Sequence, residues 1–457
     1  MLMLSLTAAV LGIAVIAWGF HLTPAQRLSV AAFLAVPQFF VPGVPVSLAD
    51  AWIALISVLA FTDKRVRLGR PSFLLPVFIL AGLYLVAQLW SEAPFSQTNM
   101  LVIFRLLGFA VLTAYALSVA ADDPKNLLRS FRWAVPWILI QAALTSAFRF
   151  NPALEAQFYS SRVGDFLVGS AASGLTNGLA INNVLDPVKA GGLYVNANVA
   201  SMYFGVAFFL LLAAKRAGAS RWYYVWALIS WAAVWTTSSK TGAALALALP
   251  VAAFLVPRMA RGNARLMLLP VVLLMIPAGV WLPDFIAQVA PEYADNSEVS
   301  LGSRGVLWEA AGILFGQHPW LGLGFGGWTA NIGSILGFNS LPPHNMIIAA
   351  WANAGILAAA SIIVFLVTVA VSFALKILAS ENPAARKTMA YGLMALAWMS
   401  IHAMGDNTTF YGETRTAFFA AVALAYYFAA AGAEPGVSAA MSVKVARFDK
   451  EPTRAPR

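Results

Sequence analysis

Long apolar stretches recur from one end of this chain to the other, broken by short polar segments. About 17–25 apolar residues are enough to cross hydrocarbon as a helix. Such stretches fall at roughly 4–20, 28–43, 46–62, 73–90, 99–119, 133–149, 191–214, 222–237, 241–257, 266–283, 345–375, 388–404 and 415–431. They predict twelve or thirteen spans, the smaller number if "VPQFFVPGVPVS" (36–47) is a tight hairpin or a broken helix. A chain in lipid must satisfy its backbone hydrogen bonds internally, and the short alternating segments of a barrel are not the pattern here. The expected fold class is all-α: a polytopic membrane protein with one transmembrane helical domain over residues 1–431. Two longer polar connections, about 149–190 and 284–344, fall on one side, and the second is partly helical in pattern.

Composition agrees. Of 457 residues, 60% are hydrophobic and 11% charged, against about 25% charged in soluble domains. The first twenty residues lack a basic n-region and a small-residue cleavage site, so they are expected to remain as a span. There is no cysteine, which excludes disulfides, thiol catalysis and cysteine-ligated metal. The net charge of +10 invites a nucleic-acid reading, and its distribution removes that reading. Of the 29 lysines and arginines, 22 lie in alternate connections and the tail, and the positive-inside rule makes that side cytoplasmic. The opposite side keeps Arg105, Arg149, Arg162, Lys189, Lys240, Arg304 and Arg415, with twelve of the 19 acids. The expected partner of the basic side is the lipid bilayer and its anionic headgroups. The tail over 432–457 is expected to be a disordered basic cytoplasmic end. Long loops usually carry function, so the working face is expected to be the outer one.

Several polar residues stand where they are expensive. Arg105 lies about two turns into an apolar helix; either it snorkels to the interface or it forms an anion site facing a wet cavity. Lys240 lies in "TTSSKTG" (236–242). That turn lacks the glycine spacing of a phosphate loop, and Thr237 rules out the Ser-x-x-Lys pattern of acyl enzymes. It reads as a capped turn with a solvated lysine, or as a cation for an anionic substrate. "SRGVLWEAAGIL" (303–314) reads as a helix opened by Ser303. Arg304 then sits in the first turn, where the helix dipole disfavours a cation, which points to an anionic partner or to simple exposure. "GLGFGG" (322–327) has no βαβ context and reads as a tight, adaptable turn.

The chain has four histidines. His21 falls in a cytoplasmic-side loop, and His318 in a helix-ending turn before proline. His402 falls near the outer end of a span, close to "GDNTTFYGETR" (405–415) with Asp406, Tyr411 and Arg415. His344 follows Pro343, which disfavours helix upstream, and precedes Asn345, which can cap "MIIAAWANAGILAAASIIVFLV" (346–367). A histidine there either caps the helix mouth or takes a proton from a hydroxyl.

Four stretches in the second half resemble, in order, the motifs of the O-antigen ligase and polysaccharide polymerase superfamily of bacterial inner-membrane glycosyltransferases. They are "YVNANVASMYFGVAFFLL" (194–211), "TTSSKTGAALALAL" (236–249), "SRGVLWEAAGILFGQHPWLGLGFGGW" (303–328) and "PPHNMIIAAWANAGILAA" (342–359). The first 190 residues match in hydropathy alone. Lys240 stands where the family shows arginine, keeping the charge and losing the bidentate fork. The resemblance implies a glycan donor linked to undecaprenyl pyrophosphate at the periplasmic face, and an acceptor that is lipid A–core, a growing glycan or protein. It implies no metal or other cofactor. His344 would be the general base in an inverting transfer, with Arg304, Arg105 and Lys240 stabilising the diphosphate. Asn345 would orient the imidazole or bind sugar. Trp320, Trp328, Asp406 and Tyr411 would contact sugar, and Asn198 and Arg415 would also bind substrate. The large loop before His344 points to a ligase, and the additional 149–190 loop to a polymerase. A lipid-linked glycan transporter or flippase is the reading from another class. It would place polar residues near mid-bilayer and break helices in both halves, whereas here polar positions gather at outer helix ends.

Overall fold

A computed structural model describes residues 14–15, 17–40, 46–66, 71–169, 188–278, 298–337, 342–406 and 414–432, with the single positions 280 and 288 besides. Most of the expected span 4–20 and the tail 433–457 lie outside the described residues. The chain is an all-α polytopic membrane protein. Among the described residues, five helices are long and apolar enough to cross a membrane: Ser72–Trp90, Gln97–Asp122, Ala197–Arg216, Lys240–Met259 and Ile356–Ala379. Three more apolar helices, Leu48–Thr62, Gly262–Leu274 and Thr416–Phe428, are shorter.

In chain order the α-helices are α1 (Pro24–Leu34), α2 (Leu48–Thr62), α3 (Leu75–Val86), α4 (Gln97–Asp122), α5 (Pro124–Phe131) and α6 (Val135–Phe150). There follow α7 (Pro152–Tyr159), α8 (Arg162–Val168), α9 (Ala197–Arg216), α10 (Trp222–Thr236), α11 (Lys240–Met259) and α12 (Arg265–Leu274). The last six are α13 (Glu298–Gln317), α14 (Gly327–Leu336), α15 (Met346–Ala354), α16 (Ile356–Ala379), α17 (Pro383–Gly405) and α18 (Thr414–Gly432). Their starts follow the sequence closely. Asn196, Ser239, Asn345 and Asn382 each accept a backbone N–H of the helix they open. Such side chains satisfy donors that lipid cannot.

Two expected spans differ from the structure. The 28–43 stretch is no single helix. α1 ends at Leu34, Gln38 and Phe39 take positive φ, and Phe40 pairs antiparallel with Ser47. The three prolines of "VPQFFVPGVPVS" oppose helix continuation, so the hairpin alternative holds. The 345–375 stretch divides into α15 and α16 at Gly355, whose φ of 80° no helix accommodates. The two polar connections carry helices of their own, the short α7 and α8 in the first and the longer α13 with α14 in the second.

The centre of the bundle is α17. It packs against α9, α11, α16 and α18, and α18 in turn lies against α4. Apolar residues surround α17 on all sides, so it is buried like a core helix rather than a lipid-facing one. Its tightest contact is with α9. A Cβ on Gly205 would lie 2.1 Å from the Trp398 ring, which is fully buried. Glycine is therefore needed at 205 for the approach of the two helices.

The end of the bundle away from His344 is tied by a buried arginine. Arg27, 1% exposed, donates to Asp63 at 2.7 Å and to the carbonyls of Gly19 and Phe20. Arg65 also pairs with Asp63 at 2.8 Å. Hydrogen bonds from Arg65 first, and from Arg27, hold the Asp63 carboxyl well below the usual carboxylate range.

The Gly205 packing and the Asp63 ion pair each make a prediction. Gly205→Ala lowers the thermal stability of detergent-purified protein by about 1–3 kcal/mol through overpacking. Gly82→Ala, with nothing within 4 Å of its added Cβ, leaves stability unchanged or raised. Equal effects at the two sites would contradict the packing. Asp63→Asn lowers the unfolding midpoint at neutral pH. The ion pair's contribution is complete above the unfolded carboxylate value of about 4 and fades as pH falls toward the depressed folded value. The midpoints of wild type and variant therefore converge in acid. A gap that widens in acid would overturn the assignment.

Candidate functional site

The ends of α9, α11, α15 and α17 converge on one side of the bundle. α11 starts against α9, where a Cβ on Gly242 would lie 1.7 Å from the Ser201 hydroxyl oxygen. α9 and α17 are locked by Gly205 and Trp398. α15 and α17 are joined by Asn345. Its Oδ1 accepts from the N–H groups of Ile347 (2.9 Å) and Ile348 (3.2 Å), and its Nδ2 donates to the Met404 carbonyl at 3.1 Å. The amide is buried, and its partners are backbone groups at two helix ends. Asn345 thus acts as the cap read from the sequence, with its oxygen and its nitrogen both bonded to backbone.

His344 precedes that cap with φ of 47°, a conformation that non-glycine residues keep only where their neighbours hold them. The Trp308 indole N–H donates to the Pro343 carbonyl at 3.1 Å on one side, and the Asn345 cap lies on the other. The His344 Nδ1 then lies 3.2 Å from Asp406 Oδ1, with the imidazole 22% and the carboxylate 7% exposed. Asp406, expected at a sugar, is therefore the partner of the histidine. It caps the end of α17 in an extended conformation, and the end of α17 aims it. A carboxylate on Nδ1 favours the tautomer with its proton there and leaves Nε2 as the basic nitrogen.

The neighbouring segments are clasped to this centre. α13, α14 and α15 share a small apolar core that includes Leu307, Leu314, Trp328, Ile332 and Trp351. Trp328 is thus a core residue, 5% exposed, rather than a sugar contact. The glycine-rich turn is a fixed clasp. Gly322 and Gly324 have φ of 67° and 83°, and an added Cβ would lie 2.1 Å from the Trp351 carbonyl oxygen and 2.6 Å from that of Trp90. Leu323 N–H bonds to the Ala352 carbonyl at 2.8 Å, and Ser91 Oγ to the Phe325 carbonyl at 2.6 Å. Trp320, in the same turn, is 75% exposed. An open apolar groove of about 400 Å³ runs between α13, α15 and α16, lined by Trp308, Phe315, Ile347, Trp351, Ile356 and Ile363 among others. Trp308 lines the groove and also bonds the residue before His344, so the groove adjoins the histidine.

α13 opens at Glu298, upstream of Ser303, so Arg304 stands in the second turn and the first-turn dipole argument does not apply to it. It lies four residues before Trp308 in the sequence. Its side chain lies outside the described residues, as do Tyr411 and the Arg415 side chain. Arg105 is placed differently from either expectation. Its Nε and Nη2 grip both oxygens of Asp50 at 2.9 Å each, and the Ser47 hydroxyl also donates to the carboxylate. That bidentate pair takes the Nε–Nη2 edge of the guanidinium. Asn198 is half-buried in the first turn of α9, its N–H bonded to the Asn196 side chain at 2.8 Å. Lys240 is the first residue of α11, half-buried, after the Ser239 cap. His402 is fully buried in α17, one turn before Asp406.

The structure thus unites His344, Asp406 and Asn345, places Lys240 and Asn198 on adjoining helix ends, pairs Arg105 with Asp50, and buries Trp328. It adds Trp308 and Asp50. The Ser47-x-x-Asp50 capping box was readable in the sequence, but its ion pair with Arg105 was not.

Asn345→Ala is expected to lower stability by about 1–2 kcal/mol, the usual range for removal of a cap, and it also frees the Met404 carbonyl. Thermal unfolding in detergent measures this, and an unchanged midpoint would contradict the role. No family model matches the chain, and no curated protein matches it.

Proposed function

We propose that the chain is a glycosyltransferase of the O-antigen ligase type. It moves a glycan from undecaprenyl pyrophosphate to a hydroxyl of lipid A–core at the periplasmic face of a bacterial inner membrane. The observation that carries this reading is the His344–Asp406 pair beside an apolar groove. The pair supplies a general base, and the groove suits a polyprenyl chain. The motif resemblance gives the chemistry its direction.

In the reaction, Asp406 accepts the Nδ1 proton of His344 in a hydrogen bond, and Nε2 takes the proton of the acceptor hydroxyl. The acceptor oxygen forms a new bond to the anomeric carbon from the face opposite the leaving group. The bond from that carbon to the diphosphate oxygen breaks, the lipid diphosphate departs with the electron pair, and the anomeric configuration inverts. Negative charge grows on the leaving oxygen, so a fixed cation there lowers the barrier. Arg304 stands one turn before Trp308 on the helix tied to Pro343, and is assigned this role. Lys240 stands at the start of α11, and Arg105 is held by Asp50.

With purified protein and a lipid-linked donor, His344→Ala is expected to lower transfer by roughly 10²–10⁴-fold, the worth of a general base. Asp406→Asn is expected to fall between that variant and wild type, and Arg304→Ala to weaken both donor affinity and rate. Near wild-type turnover in His344→Ala sinks the base assignment, and unchanged donor affinity and rate in Arg304→Ala sink the diphosphate role. A deletion strain is expected to lose all polymer from lipid A–core; single repeat units on the core would instead identify a polymerase.

A further inference from the structure

The apolar groove and the backbone of the candidate base are held by the same residues. His344 keeps φ of 47° between two fastened neighbours. The residue before it, Pro343, accepts the Trp308 indole N–H at its carbonyl, at 3.1 Å. The residue after it, Asn345, accepts the N–H groups of Ile347 and Ile348 at 2.9 and 3.2 Å. Trp308, Ile347 and Ile348 also wall the groove. Whatever fills the groove therefore packs against the residues that fasten both flanks of His344.

The two flanks are not held alike. The Asn345 cap is local, with partners two and three residues away. The Trp308 bond crosses from α13 to the segment before α15, 35 residues apart in the chain. Among the described residues, the backbone of α13 packs mainly on α14. Its link to α15 is made by side chains, through the small core that holds Leu307, Leu314 and Trp351 and through Trp308 itself. Trp308, Ala311, Gly312 and Phe315 form one helical face of α13, and that face is one wall of the groove. The separation of the two walls thus sets how Trp308 reaches Pro343. A chain lying between the walls fills a space where the lining otherwise lacks contacts, and it fixes that separation.

We infer that Trp308 is a positioning residue through which an apolar chain in the groove sets His344 for proton transfer. The inference rests on the proposed role of His344 as base, and it names what regulates that base: the isoprenoid of the donor. With the groove filled, the indole is pressed toward Pro343 and the His344 backbone is steadied beside Asp406. With the groove empty, one face of the ring has no packing partner. A donor whose chain is seated then meets an ordered base, whereas water alone brings no chain and does not. Binding energy from a remote part of the substrate is thereby used at the reacting centre.

The first readout needs no turnover. Full-length protein in detergent, labelled with ¹⁵N-histidine, is titrated with geranylgeraniol, a prenyl alcohol without a diphosphate, and thermal unfolding follows its binding. His344 is assigned by its absence in His344→Gln. The expected result in wild type is stabilisation with a saturable change in the His344 ring resonances. Trp308→Phe keeps a ring in the wall and loses the bond to Pro343. It is expected to bind the alcohol while the His344 change is lost. No binding by wild type, no His344 change at saturating alcohol, or an equal change in both proteins overturns the coupling. Gly312→Leu is the second variant. An added Cβ there meets nothing within 4 Å, so the side chain fills the groove with the Trp308 bond in place. It is expected to abolish the response to the alcohol, and an unchanged response overturns the groove as its source. Should Trp308→Phe fail to fold, Gly312→Leu decides alone.

In the transfer assay, a donor with a shortened isoprenoid is expected to have a lower kcat in wild type. Trp308→Phe is expected to lower kcat about tenfold with the long donor, near the upper worth of one neutral hydrogen bond. It is expected to leave the donor KM little changed and to remove the dependence of kcat on chain length. A rise in KM alone, or a chain-length effect on kcat that survives Trp308→Phe, contradicts the positioning role. A His344 response to the alcohol in a protein that transfers no glycan would reject the proposed function and keep the coupling.

Discussion

One side-chain amide joins the two helix ends on which the candidate site stands. Asn345 caps α15 with its oxygen and holds the last turn of α17 with its nitrogen. A helix end inside a membrane protein cannot leave its donors to lipid, so the cap is obligatory. The residue before that cap is His344 and the residue after that last turn is Asp406, two residues past Met404. Satisfying the backbone of two helices therefore also sets the separation of an imidazole and a carboxylate. The requirement of folding and the geometry for proton transfer are met by one residue.

The rest of the bundle makes this junction stiff. α17 is buried among α9, α11, α16 and α18, and the missing side chain at Gly205 lets α9 close on Trp398. From the other side, the glycine clasp and the Trp308 bond to Pro343 fasten α13, α14 and α15 as one small core. Stiffness on both sides explains how His344 keeps a left-handed backbone. The same construction keeps the apolar groove beside the histidine, where a lipid chain and its headgroup would be held in register.

Much of this was readable from local pattern. The apolar runs announced helices and Pro343-His344-Asn345 announced a polar, asparagine-capped helix mouth, whereas the helix expected to open at Ser303 already runs from Glu298. Hydropathy could not show that 345–375 breaks at Gly355, because both halves are equally apolar and the break is forced by a carbonyl from the Trp320 turn. Nor could it pair His344 with Asp406, 62 residues away, or Arg105 with Asp50, 55 residues away. Those pairings depend on which helices neighbour each other, and periodicity carries no such information. The glycine-rich turn was read as adaptable, whereas Gly322 and Gly324 each fit closely against a backbone carbonyl.

The central claim is that Asp406 sets the state of His344. Nitrogen NMR of protein labelled with ¹⁵N-histidine, with His344 assigned by its absence in His344→Gln, reads the position of the proton on the neutral ring. The account predicts a proton on Nδ1 in the wild type, and a shift of that tautomer balance in Asp406→Asn. A neutral ring protonated on Nε2 in the wild type, unchanged by Asp406→Asn, would contradict it.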